Sequence, residues 1–350
     1  LEPCGPSENN PVIEQTVGRV SGGEDLSMDD MSKAIEAIML GLCTDVEIAL
    51  LLTALHLKGE TVAEIAGAAS AMRRHMTPIR TRRTGLVDTC GTGGDGSRTF
   101  NISTAAALVA AAAGANVAKH GNRKVTSLCG SADVLALLGV NVEADVPRVE
   151  ACLDELGICF CFAPLLHGAM KNVSRVRQQL GTPTIFNLLG PLSNPAAAPF
   201  QLVGVGRQDL RPILAEALAM LGTERAIVVS GEDGLDEVSI SGPTRVSEAA
   251  SGRVRDFTWR PADFGIEESS LEALRIETAA ESAAAIREVI ANQPGPRRDV
   301  VVVNAAAALW TAGKAATPAD GAEQAAAAIA SGAAADLLAR LVARSSTAQG

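Results

Sequence analysis

Residues 88 to 104 read DTCGTGGDGSRTFNIST, with four glycines, Gly91, Gly93, Gly94 and Gly96, gathered around Asp95. Glycines at this density let backbone N–H groups come close to an anion. The polar Asn101, Ser103 and Thr104 open the helical stretch that follows, so they can cap that helix or donate to phosphate oxygens. Gly91, Gly93 and Gly96 match a GxGxxG dinucleotide fingerprint, which also needs an acidic side chain at the end of the next strand. That strand instead ends in Lys119 and His120, and no Asp or Glu stands between Asp95 and Asp133. The ATPase-type loop fails too, because Ser97 occupies the lysine position and Arg98 the Ser/Thr position. Helix-terminal anion binding survives both failures, against the plainer alternative of a capped helix after a tight turn.

The stretch KHGNRKVTSLCGSAD, residues 119 to 133, supplies a complement. Lys119 is a point charge for phosphate, and Asn122 and Ser131 offer hydrogen bonds on a second glycine-bearing loop. Its plainer alternative is a charged turn. A phosphate-rich ligand calls for a cation, and Asp236 and Glu237 in GEDGLDEVSISG are suitable hard-oxygen ligands for Mg²⁺, with Glu232 and Asp233 as the solvated part of that turn. In VSRVRQQLGTPTIFNLLGPLSNP, residues 173 to 195, Arg175 and Arg177 diverge on a helix, so one can clamp a carboxylate while the other faces solvent. His56 and His75 read as structural, while His120 and His167 lie near the motifs. No spacing supports zinc, and no pattern supports a covalent nucleophile.

These residues need a scaffold. Between Met28 and Met76 apolar residues recur at helical spacing, with Gly41 and Gly59 near helix ends, which predicts a small all-helical domain. From Leu86 onward, β-rich runs alternate with alanine-rich helices: LVDTC, ANVAKH, ICFCFA, QLVGVG, RAIVVSG and DVVVVN. That alternation predicts an α/β domain with a mainly parallel sheet, and the alanine-rich stretch from Asn304 reads as helices packed on it. The expected layout is a loose tail over 1–12, a helical domain over 13–83, and an α/β domain over 84–350.

The 350 residues are 47% hydrophobic, enough for two cores. A net charge of −10 argues against a general nucleic-acid or anionic-membrane binder and leaves any anion site to a local basic patch. No apolar run reaches the roughly 18 residues of a membrane span, and the first residues lack a signal-peptide pattern. Seven scattered cysteines without a CxxC pair read as reduced thiols, with Cys159 and Cys161 in an apolar core strand. The expected compartment is the cytoplasm.

The motifs GTGGDGSRTFNIST, KHGNR, GSADVLALLG, APLLHGAMKNVSRVR, PTIFNLLGPLSNPA and DGLDE together resemble the anthranilate phosphoribosyltransferase family, from about Met28 to the C-terminus. The resemblance implies Mg²⁺-dependent transfer of a phosphoribosyl group from 5-phosphoribosyl 1-pyrophosphate (PRPP) to the amine of anthranilate. It also implies a fold shared with pyrimidine nucleoside phosphorylases, in which a helical domain completed by helices from about 168–188 faces an α/β domain across a hinged cleft. The same family likeness implies a homodimer formed through the helical domains. By the same likeness, Gly91, Gly94, Asp95, Asn101, Ser103, Thr104, Lys119 and Ser131 serve PRPP. Gly91, His120, Asn122 and Arg177 serve anthranilate, and Ser103, Asp236 and Glu237 the metal. Gly168 departs from the usual proline, and Thr126, Leu128 and Cys129 from the commoner serines and lysine. A pyrimidine nucleoside phosphorylase and a non-catalytic ligand or nucleic-acid binder on the same fold are the alternatives.

Overall fold

The computed structural model describes residues 10–93, 96–123 and 129–346. The chain opens with four helices, α1 (Pro11–Ser21), α2 (Met28–Met39), α3 (Asp45–Lys58) and α4 (Val62–Arg74). Helix α1 begins inside the stretch expected to be loose, because Asn10 caps it, its side-chain oxygen accepting the Val12 N–H at 3.0 Å. Capping boxes start the next pair: Thr44 with Glu47 opens α3, and Thr61 with Glu64 opens α4. On α2 the fully buried residues Met31, Ala34, Ile35 and Ile38 recur at the spacing of one helical face.

The larger part alternates β1 (Leu86–Gly91), α5 (Ile102–Ala112), β2 (Asn116–Gly121), α6 (Ser131–Leu137), α7 (Val146–Leu156) and β3 (Ile158–Phe162). Three helices, α8 (Ala163–Leu166), α9 (Lys171–Leu180) and α10 (Phe186–Leu189), then lead to β4 (Phe200–Gly204), α11 (Leu210–Met220) and β5 (Arg225–Gly231). The antiparallel strands β6 (Thr244–Ala250) and β7 (Arg253–Trp259) follow, and α12 (Ala279–Ile290), α13 (Pro296–Thr311), α14 (Pro318–Ala330) and α15 (Ala333–Ser346) close the chain. The sheet runs β3-β2-β1-β4-β5-β6-β7, with β1 to β5 parallel. Strand order therefore reverses between β1 and β4, the crevice at which parallel sheets take their ligands.

Two expectations change here. DVVVVN lies inside α13, and Val300, Val301, Val302 and Val303 are all buried. A helix enclosed on every side carries an unbroken apolar run just as a central strand does, so burial overrides the β propensity of valine. The sheet also gains β6 and β7, joined by the two-residue turn Ser251–Gly252 with φ of 52° and 71°. Positive φ at both positions marks the tight hairpin turn that a Ser-Gly pair signals, although TRVSEAA lacks the apolar content of a strand.

Alternate residues of β4 and β5 serve two cores. Leu202, Ile227 and Val229 face the cluster built on α5 and α13. Val203, Ala226 and Val228 face α11 and join the core of α1 to α4, to which Val173 and Val176 of α9 also belong. Among the described residues no single helix is long and apolar enough to cross a membrane.

Candidate active site

The parallel strands β1, β2 and β4 bring Gly91, Gly121 and Gly204 to one edge of the sheet, at the carboxyl ends of the strands. Gly91 pairs with Gly204 in the ladder at the crevice between β1 and β4. A Cβ on Gly91 would lie 3.2 Å from a carboxylate oxygen of Asp236, and one on Gly204 would overlap the Asp236 carbonyl oxygen. Both glycines are there so that the loop after β5 can lie against the phosphate-type loop. The two sequence motifs, 145 residues apart at Gly91 and Asp236, thus meet.

Lys119, on β2, is buried with its ammonium donating to the Thr89 carbonyl and, at 3.2 Å, to the Ser103 hydroxyl. Burial lowers its pKa, and the charges of Asp88 and Glu237 act against that. Lys119, Ser103, Asp236 and Glu237 therefore share one neighbourhood. Gly94 and Asp95 lie outside the described residues, as do Thr126 and Leu128. Asn101 takes the N-cap position of α5 without capping it: its side-chain oxygen accepts the Thr104 hydroxyl, which is buried. The backbone N–H groups of α5's first turn are in consequence not used up by that side chain.

Ser131 opens α6 with its hydroxyl 3.5 Å from the Asn122 carbonyl, and the Asn122 side chain is exposed and accepts the Arg123 N–H at 2.7 Å. His120 is buried. Its Nδ1 lies 3.1 Å from the Gly190 carbonyl, and its Nε2 lies 3.1 Å from Nε2 of His167. A carbonyl only accepts, so Nδ1 of His120 carries the proton, and its bare Nε2 accepts from His167. Burial, joined by the Lys119 charge, pushes the His120 pKa down to about 4, and burial beside His120 pushes His167 down to about 3.

Sequence reasoning missed the anchor of this network, Asp88. It is fully buried and accepts the His120 N–H at 3.0 Å and the Asn194 amide at 2.7 Å, tying the second loop to the PLSNP turn. The signal available was a lone acid in a strand otherwise without charge. Glu232 is exposed as expected and paired with Arg245 at 2.7 Å. Asp233 is also exposed, but its carboxylate is not left to solvent: it accepts the Leu235 N–H at 3.0 Å and the hydroxyls of Ser239 and Ser241, folding the loop that carries Asp236.

The two arginines of α9 diverge as the helix period requires. Arg175 is 76% exposed and lies 3.6 Å from Asp45, whereas Arg177 turns onto Phe186 and sits 3.4 Å from the Asn187 side-chain oxygen. Among the described residues Arg177 has no carboxylate partner. The strip from Asn187 to Asn194 reaches Arg177 at one end and His120 and Asp88 at the other. Gly168 begins a short 3₁₀ turn with nothing near its missing side chain, and Cys129 is buried.

A divalent cation fits this arrangement. Two adjacent carboxylates stand at the strand ends, one beside a glycine cradle and the other within the field of Lys119, and Mg²⁺ commonly uses one or two protein carboxylates together with phosphate and water. Among the described residues no cluster of three or more His, Cys, Asp or Glu could hold an ion without such added ligands.

Two family models match the chain: "Glycosyl transferase family, a/b domain" over residues 83–335, and "Glycosyl transferase family, helical bundle domain" over 14–76. The anthranilate phosphoribosyltransferase of Moorella thermoacetica is 49% identical over 332 residues, covering 95% of this chain and 98% of the relative. That of Rhodopirellula baltica is 49% identical over 337 residues, covering 96% and 98%. The crystal structure of the Thermus thermophilus enzyme superposes with a TM-score of 0.89 at 43% identity, covering 95% of this chain and 99% of that one. The Saccharomyces cerevisiae enzyme in complex with PRPP and Mg superposes with a TM-score of 0.86 at 28% identity, covering 97% and 99%.

Proposed function

The chain belongs to the anthranilate phosphoribosyltransferase family of glycosyl transferases, and from that premise we propose that it transfers the phosphoribosyl group of PRPP to the amine of anthranilate in tryptophan biosynthesis. The observation that carries this reading is the meeting of Lys119, Ser103 and the Asp236–Glu237 loop at the crevice between β1 and β4. In the reaction the C1–oxygen bond of ribose breaks, its electron pair leaves with pyrophosphate, and the nitrogen lone pair forms the new C1–N bond as the amine loses a proton. Negative charge grows on the leaving group while the ribose takes on oxocarbenium character.

A buried ammonium aimed at that place stabilises the growing charge, and the backbone N–H groups after β1 and at the start of α5 add to it without reorganising. Lys119 holds this position through Thr89 and Ser103. Asp236 and Glu237, with the Ser103 hydroxyl, would hold Mg²⁺, which would supply charge neutralisation for the pyrophosphate. Gly91, Gly94, Asp95, Asn101, Thr104 and Ser131 complete the PRPP side. An aromatic amine is neutral at pH 7, so positioning and not prior deprotonation is what the acceptor needs. Arg177, with no carboxylate partner among the described residues, takes that of anthranilate, and Gly91, His120 and Asn122 line the same side.

The unit of 13–83, completed by the 168–188 segment, works against the α/β unit of 84–350 across this site. On α3, Val46, Leu50 and Leu57 share one stripe and are 68%, 52% and 80% exposed, while Ile48, Leu51, Leu52 and Leu55 are buried on the other side. Large apolar residues on two opposite faces of a helix call for cover on both, so a second copy covers this stripe and the enzyme is a homodimer. Cysteines that form no disulfide among the described residues and an acidic composition suit the cytoplasm.

Anthranilate fluorescence, followed with protein, PRPP and Mg²⁺ present and each omitted in turn, tests the reaction. Loss of signal that requires all components is expected. Constant fluorescence with folded protein would overturn the transferase and direct attention to metal-independent phosphorolysis of a pyrimidine nucleoside.

A further inference from the structure

Asn304 sits in the middle of α13, fully buried between valines and alanines that are buried as well. An amide in the interior of an apolar helix is costly unless its hydrogen bonds are met, so its presence calls for a partner. Part of the need is met locally, by donation to the Val300 carbonyl at 2.8 Å. The rest goes across to Val238: the Asn304 side-chain oxygen accepts the Val238 N–H at 2.9 Å, and its amide donates to the Val238 carbonyl at 2.9 Å. Val238 is buried and lies outside every strand and helix, so this side chain plays the part of a missing neighbouring strand.

Val238 directly follows Glu237. On the other flank the Asp236 carbonyl is seated against Gly204, where any side chain would collide with it. The acidic pair is therefore held on both sides, by the end of β4 and by a helix 66 positions further along the chain. Adjacent carboxylates repel each other before a cation arrives, and a loop without regular structure would relieve that repulsion by opening. The strap to α13 opposes it.

We propose that Asn304 is a positioning residue for the metal-binding carboxylates, fixing Asp236 and Glu237 at the strand ends before any ligand binds; this rests on the Mg²⁺ and PRPP reading above. Asn304→Ala is compared with the wild type by hydrogen exchange of residues 232–241 without Mg²⁺ or substrate, and by steady-state kinetics. The expected result is exchange about tenfold faster in that segment, the scale of one lost hydrogen bond. The Mg²⁺ activation constant should rise about 10- to 100-fold, as when a group orienting a metal ligand is removed, with the anthranilate KM unchanged.

Unchanged exchange overturns the proposal whatever the kinetics do, because the effect would not run through the loop. A uniform loss of kcat, both KM values and global stability also overturns it, leaving Asn304 an ordinary packing residue. Faster exchange with an unaltered Mg²⁺ constant is resolved by Asp236→Asn. If that variant shifts the constant, the strap does not set the carboxylates; if it does not, the metal reading itself has failed. Should Asn304→Ala not fold, Asn304→Ser, which keeps one donor, carries the same comparison.

Discussion

Arg175 and Arg177 differ by two positions in sequence and by their whole environment in space. The exposed pair of Arg175 with Asp45 is of the kind that contributes little, while Arg177 is drawn inward against an aromatic ring and is partly desolvated, which lowers its pKa. In such a setting a bound carboxylate gains a charge-assisted fork of hydrogen bonds. Arg177→Ala is expected to raise the anthranilate KM about 10- to 100-fold with little change for PRPP, and equal rises for both substrates would reassign Arg177 to general structure. The histidine pair makes a prediction in pH. His120 and His167 have folded pKa values pushed to about 4 and about 3, below the ordinary 6.5, so the unfolded chain binds more protons in that interval. Their stabilising contribution is complete above pH 6.5 and is lost as pH falls toward the folded values, by up to about 1.4 kcal/mol per pH unit for each histidine. Urea titrations should find the advantage of the wild type over His167→Gln shrinking between pH 7 and 5. A constant advantage would mean that His167 titrates as it does in the unfolded chain.

Among elements, a close approach makes a demand where α6 meets β2. A Cβ at Gly121 would overlap the Ser131 hydroxyl and lie 2.8 Å from the Phe160 ring on β3. The ring is buried on β3, so the hydroxyl and the start of α6 must give way. Gly121→Ala is expected to cost about 1–3 kcal/mol in denaturant unfolding and to weaken PRPP, because the same displacement moves Ser131. Unchanged stability and PRPP affinity would show that the second loop has slack. The strands were legible where β-branched runs lie between glycines, as in RAIVVSG and LVDTC, and were not where packing decides, as in DVVVVN. TRVSEAA shows the converse. Its residues pair between two strands, and only the Ser-Gly turn announces them.

For the whole molecule, one core joins the N-terminal helices, α9 and one face of the sheet, so the helical part is seated on the α/β part through α11. The exposed stripe of α3 lies outside that seat. Leu50→Glu places a charge in the proposed subunit contact without touching either core. Light scattering after size exclusion should find a dimeric wild type and a monomeric variant. A monomeric wild type at micromolar concentration would remove the contact from the reading.

The phosphate-type loop, the basic second strand, the acidic pair and the arginine helix were all legible as local chemistry, because anion binding needs glycine, lysine and carboxylate within short spans. So was the α/β class, because strand and helix periods are local properties. The order β3-β2-β1-β4-β5-β6-β7 was not, and with it the crevice at which Gly91, Gly204 and Asp236 meet. Nor were the roles of Asp88 and Asn304, which read as single polar residues in apolar runs. Each is explained by partners brought to it from far along the chain, since the cost of burying a polar group is met by whatever the fold places opposite it.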